Sequence, residues 1–257
     1  MTVSGGAVPR VVRLLADPVR WRLACELARG DYRVRELVAA TGHPQNLVSY
    51  HLRQLRDGGL VTARRSSFDA RDTYYSLNLE GCAGALARAA GSLHPGLAPP
   101  PGLAALTDLG IQPGPGPRVL FLCTGNSTRS PMAEALLRHR AGRRVLTMSA
   151  GIRPKPVHQA AVAVLRDRYR IDLSGHRPTP VETVARQRFD YVISLCDRAR
   201  EACPEFGGHP ERVHWSLPDP AAGEDGLAGL PAFERTAADL DTRIRFLLPA
   251  LESIKTA

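Results

Sequence analysis

The stretch "RVLFLCTGNSTRSPMAEALL" (residues 118–137) decides the fold of the larger part of this chain. It opens on a short apolar run, "RVLFLC", of the length of a buried strand, and it closes on "PMAEALL", a helix former. Between them a cysteine at a strand end and an arginine at a helix start enclose a loop. Gly125 and Asn126 can take left-handed backbone angles there. The N–H groups of Thr124, Gly125, Asn126, Ser127, Thr128 and Arg129 can then line an anion nest with the helix dipole behind it. Arg129 adds a bidentate fork for a tetrahedral oxyanion. The same field favours a thiolate at Cys123, which makes it a nucleophile. Ser130 can donate a hydrogen bond to that sulfur. No Gly-Lys-Ser/Thr follows, so the loop is not a nucleotide P-loop.

The bare Cys-x5-Arg spacing proves little. Arginine supplies 32 of the 34 basic residues, so any cysteine has about a one-in-eight chance of an arginine six places on. Cys82 and Arg88 show the same spacing inside a helical pattern, with no strand before and no loop after. The strand–loop–helix setting is what separates Cys123 from that coincidence.

Outward from this element, strand and helix patterns alternate. "RRVLTMSAG", "FDYVISLC" and "RVHWSL" read as strands; "PVHQAAVAVLRDRY" and "FERTAADLDTRIRFLLPALESI" read as helices. That succession predicts a doubly wound, parallel α/β sheet over 118–257. Ligands of such sheets bind beyond the carboxyl ends of the strands. Cys123 ends the first strand, Cys196 ends the third and Asp219 follows the fourth, so one crevice can collect all three. Asp219, in "SLPDPAAG", reads equally as a proton donor to a leaving oxygen or as a turn residue.

Towards the N-terminus, "HPGLAPPPGLAALTDLGIQPGPGP" (94–117) holds seven of the 21 prolines. It predicts a semi-rigid linker with one short turn around Leu103–Leu109. Before it, residues 1–93 read as four helices, two strands around a polar arginine-bearing loop, and a closing helix. Val48, Leu52 and Leu55 make the inward stripe of the fourth helix. Gln45, Asn46, Ser49, Tyr50 and Arg53 lie off that stripe. This is the order of a winged helix-turn-helix, whose fourth helix offers donors to base edges in a major groove. Arg64, Arg65 and Arg71 in the hairpin are placed to meet phosphate. Residues 1–94 carry 13 arginines against 8 acidic residues, which suits a polyanionic partner.

The bulk composition narrows the classes further. The formal net charge is +9, and no apolar run approaches a membrane span. The N-terminus lacks the features of a secretion signal, so the expected location is cytoplasmic. Five cysteines, an odd number, argue against a structural disulfide framework. No metal site is expected. Cys25 and Cys82 read as buried structural thiols.

Two resemblances follow from these motifs. "LADPVRWRLACELARG", "RVRELVAATGHPQNLVSYHLRQLRDGGLV" and "DTYYSLN" resemble the ArsR family of metalloregulatory repressors. That implies a homodimer through the first and last helices and an operator DNA partner. Arsenic sensors of that family commonly carry cysteines in the third helix, where this chain has Arg33 and Arg35.

"CTGNSTRSPMAEALL", "SAGI", "DLSGHRP", "FDYVISLCDRAREACP", "VHW" and "DPAAG" resemble the low-molecular-weight tyrosine phosphatase superfamily, and within it the thioredoxin-coupled arsenate reductases. The resemblance implies that Cys123, Cys196 and Cys203 form a relay reducing arsenate to arsenite, with Asp219 assisting loss of water. Thioredoxin is the implied dithiol reductant, and a low-molecular-weight thiol is the other option. On a regular helix Cys196 and Cys203 would stand roughly 10 Å apart, beyond the ~7 Å Cα limit of a disulfide. The resemblance implies that the segment unwinds. Thr128 replaces a cysteine found in many relatives. Some relatives bind potassium, and Asn126, Glu134 and Ser149 match positions used there. Thr179 falls near the place of a missing acidic ligand, so the resemblance raises potassium without implying it. Two alternatives stay open: a phosphatase fused to a regulator, and a regulator whose α/β domain only senses oxyanion or redox state.

Overall fold

The computed structural model describes residues 7–97, 116–201, 203–222 and 229–253. Most of the proposed linker, with its turn around Leu103–Leu109, lies outside the described residues. Contacts divide the chain into two units, Met1–Arg65 with Arg71–Leu109 and Ser66–Ala70 with Gly110–Ala257.

The first unit runs α1 (Arg10–Leu15), α2 (Pro18–Arg29), β1 (Tyr32–Arg33), α3 (Val34–Thr41), α4 (Gln45–Asp57), β2 (Val61–Arg65), β3 (Thr73–Leu77) and α5 (Leu79–Leu93). Local chemistry sets the boundaries. Asp17 caps α2 by accepting from the N–H groups of Val19 and Arg20, and Pro18 occupies the first turn. Gly42 ends α3 at φ 71°, in the left-handed region. Asn78 caps α5 through the Gly81 N–H. Leu23, Leu37, Val48, Leu52 and Leu55 are fully buried in one core. The antiparallel sheet has the order β1-β3-β2. β1 is an addition to the sequence reading, because two residues are too short to show alternation.

The second unit contains β4 (Arg118–Cys123), α6 (Arg129–Ala141), β5 (Leu146–Gly151), α7 (Gln159–Tyr169), α8 (Val181–Val184), β6 (Tyr191–Ser194), α9 (Asp197–Glu201), β7 (Glu211–His214) and α10 (Leu230–Ser253). All neighbouring strands are parallel, in the order β5-β4-β6-β7. Val119, Leu120, Phe121 and Leu122 are buried at every position, as expected of a parallel strand covered on both faces. The chain leaves β4 towards β5, then returns to lay β6 on the other side of β4. The order therefore reverses beside β4, and Cys123 stands at that strand's carboxyl end.

Candidate active site

The loop after β4 is held from outside by the chain that follows β5. Ile152 N donates to the Cys123 carbonyl, Arg153 N to that of Thr124, Lys155 N to that of Gly125 and His158 N to that of Ser127. With the carbonyls turned towards residues 152–158, the intervening N–H groups face the other way. One of them, Asn126 N, donates to Cys123 Sγ at 3.2 Å. Only half of the backbone expectation holds: Asn126 has φ 45°, whereas Gly125 is not among the positive-φ residues. The Asn126 side chain fixes its unusual backbone, donating to Ser130 and Ser149 and accepting from Thr179 N at 2.7 Å. Gly125 lies tight against its neighbours; an added Cβ would sit 2.9 Å from Ser127 Oγ.

Cys123 is buried, with Ser130 Oγ 3.0 Å from its sulfur. Thr128 is buried where α6 begins. The Arg129 guanidinium is also buried. It donates to the Leu217 carbonyl at 3.1 Å and pairs with Asp219 at 3.2 Å, while its buried Nε has no hydrogen-bond partner. Asp219 is the more exposed member of that pair, with 44% of its side chain accessible.

Cys196 reaches the same loop: its sulfur is 3.3 Å from Thr124 Oγ1. Burial pushes its thiol above the ordinary value, while Arg129 and the Thr124 hydroxyl pull it back. Cys203 is half-buried against the core, and burial pushes its thiol up as well. All five cysteines are free thiols. The geometry thus gathers Cys123, the loop, Arg129, Ser130, Cys196 and Asp219, with Cys203 beyond the far end of α9.

Asn126, Glu134 and Ser149 also meet, as a closed hydrogen-bonded set. Asn126 Nδ2 donates to Ser149 Oγ, Ser149 Oγ donates to Glu134, and Glu134 also pairs with Arg138. These oxygens already serve protein donors, and a potassium ion would compete with a guanidinium. The residues present do not fit that ion.

Gly151 and the clamp 152–158 are missing from the sequence reading. A Cβ on Gly151 would lie 2.7 Å from Asn126 N. The only local signal is the glycine of "SAGI" at a strand end. Lys155, His158 and their neighbours act through backbone N–H groups, which no residue pattern reports.

In the first unit Gln45, Asn46, Tyr50 and Arg53 are exposed on α4 and Ser49 is half-buried. His51, on the same helix, is buried instead. Arg65 and Arg71 are exposed, and Arg64 donates to the Arg65 carbonyl. Where the resemblance would put sensor thiols, Arg33 pairs with Glu36 and Asp72, and Arg35 pairs with Asp72. The expectation for Cys25 is corrected: it is exposed, because it projects from the side of α2 opposite Leu23 and Leu27. Cys82 is half-buried, with its thiol facing the Leu60 carbonyl.

Residues 118–257 match the family model of low molecular weight phosphotyrosine protein phosphatases. The chain belongs to that family. Residues 17–63 match the bacterial regulatory protein arsR family, so a phosphatase-family domain follows an ArsR-type helix-turn-helix. Similar proteins include an arsenate reductase of Brevibacillus brevis, 35% identical over 49% of this chain and 90% of that protein. An arsenate reductase of Halalkalibacterium halodurans is 38% identical over 41% of this chain and 76% of that one. A solved arsenate reductase in oxidized state is 28% identical, covering 52% of this chain and 98% of that chain, with a TM-score of 0.46.

Proposed function

We propose that residues 118–257 reduce arsenate to arsenite through a three-thiol relay. Cys123 attacks arsenic held by the loop N–H groups and Arg129, and one arsenate oxygen leaves as water with a proton from Asp219. Cys196 then attacks the Cys123 sulfur. The sulfur–arsenic bonding pair stays on arsenic, arsenite departs and a Cys123–Cys196 disulfide remains. Cys203 attacks Cys196, Cys123 leaves as thiolate, and an external dithiol reduces the Cys196–Cys203 disulfide. Thioredoxin is the expected reductant. The observation that carries this reading is the second thiol at the loop, with Cys196 Sγ 3.3 Å from Thr124 Oγ1. A phosphatase needs one thiol there; a two-electron reduction needs a partner for it.

The test is arsenate-dependent NADPH consumption by the full chain with thioredoxin and its reductase. Cys203→Ser should permit about one turnover and then stall. The second reading is a phosphatase, in which Asp219, paired with Arg129 at 3.2 Å, would give its proton to the leaving oxygen of a phosphate ester. Brisk p-nitrophenyl phosphate turnover with no arsenate-dependent NADPH loss would establish it instead.

For residues 1–93 we infer an operator-binding homodimer, joined to the reductase by the linker 94–117. Gln45, Asn46, Ser49, Tyr50 and Arg53 would read bases, and Arg64, Arg65 and Arg71 would meet phosphates. The pairing surface would be formed by α1 and α5, supported by exposed Val8, Val12, Leu86 and Leu93. Five free thiols suit a reducing cytoplasm. Gel shift with the protein's own promoter, with and without arsenite, tests the regulator and its signal.

A further inference from the structure

Directly after Cys196 the chain enters a buried polar cluster that the relay itself does not use. Asp197, the first residue of α9, is 1% exposed; His214 and Ser216 are each 5% exposed, and Ser194 is 6% exposed. Asp197 Oδ1 accepts from Ser216 Oγ at 2.6 Å and lies 3.1 Å from His214 Nε2. On its other side the same imidazole meets Ser194 Oγ at 2.8 Å and the Ser194 carbonyl at 3.2 Å through Nδ1. One ring is therefore fixed at both nitrogens, tying the carboxyl ends of β6 and β7 to the first turn of α9. Buried polar groups of this kind lose heavily when a partner is removed.

We propose that Asp197, His214 and Ser216 form a latch that keeps α9 wound and so sets how readily the Cys196–Cys203 disulfide is reduced. This rests on the relay proposed above. Closing that disulfide removes two electrons and two protons from the pair of thiols, passed to the oxidised form of a dithiol partner, and on the proposed relay α9, which lies between the two thiols, unwinds as it closes. The latch contacts exist in the wound dithiol form and are lost in the unwound disulfide form. By thermodynamic linkage they favour the dithiol, so an external dithiol can regenerate the enzyme. His214 and Ser216 are positioning residues: they touch neither substrate nor reacting sulfur.

The test uses the full chain carrying Cys123→Ser, which isolates the pair, equilibrated in buffers of reduced and oxidised dithiothreitol. Free Cys196 and Cys203 are trapped with a mass-tagged alkylating agent and counted. His214→Ala should shift the equilibrium towards the disulfide about tenfold, equivalent to a potential ~30 mV lower. Ser216→Ala should shift it the same way by a smaller factor, and it decides the matter if His214→Ala does not fold. His214→Gln, whose amide can donate towards Asp197, should return the parent value. Unchanged equilibria in folded His214→Ala and Ser216→Ala proteins would overturn the latch. If the parent pair forms no disulfide at any poise, the relay reading fails and the latch falls with it.

Discussion

At Cys196 two opposing effects meet. Burial raises its thiol, while Arg129 and the Thr124 hydroxyl favour the thiolate that would attack in the proposed relay. Thr124→Val removes one of those supports without adding bulk. Arsenate-dependent kcat at neutral pH should fall about tenfold, within the worth of a hydrogen bond to a charged group, while p-nitrophenyl phosphate turnover stays near parent. In the parent, arsenite release should rise with pH to a midpoint above the ordinary thiol value of about 8.5; in Thr124→Val that midpoint should move higher still. The same burial has a consequence for stability. The Cys196 and Cys203 thiols are both raised in the folded chain. Their contribution is therefore fully present below the ordinary thiol value and is lost as pH rises through the raised ones. Denaturant midpoints should drop between pH 8 and pH 10, and less so in a Cys196→Ser, Cys203→Ser double variant.

Elements differ in how far a sequence exposes them. β4 and β6 are short runs buried at nearly every position, and their apolar character alone marks them. The long helices follow from caps and periodic stripes. β1, α8 and α9 span two, four and five residues, too few for a pattern to emerge. α9 matters most among these, because it separates Cys196 from Cys203, the two thiols of the proposed exchange. The end of β5 shows the same limit at a single position. Gly151 lies against the Asn126 backbone, and Gly151→Ala would put a methyl 2.7 Å from a main-chain nitrogen that cannot swing aside. The strand is anchored by its ladder to β4, so the loop must move. Loss of about a hundredfold in kcat/KM is expected, the scale of an ångström-sized misplacement, with circular dichroism unchanged.

On the scale of the whole molecule, regulation and catalysis should be separable by mutation. Val12→Glu or Leu86→Glu places a charge on the exposed apolar surface of α1 and α5, outside the core of either unit. Such variants should sediment as monomers, lose at least tenfold in operator affinity and keep the parent arsenate-dependent kcat. An unchanged dimer in both would move the pairing surface elsewhere. In Arg65→Ala the slope of log affinity against log salt should fall by about one, as for loss of a single phosphate contact.

What the sequence determined by itself was whatever depends on neighbours along the chain. The strand–loop–helix around Cys123, the alternation that makes a parallel sheet and the order of elements before residue 94 are all local patterns, written by periodicity, caps and glycine placement. What only the tertiary structure decided were encounters between distant segments. The carbonyls of the loop are occupied by residues 152–158, Cys196 meets Thr124, and Asp197 meets His214. Those contacts are made by backbone groups or by side chains whose own neighbours give no hint of them, and they exist only once β4, β5, β6 and β7 lie side by side. The sheet brings their carboxyl ends together, and the chemistry of the site is assembled at that edge.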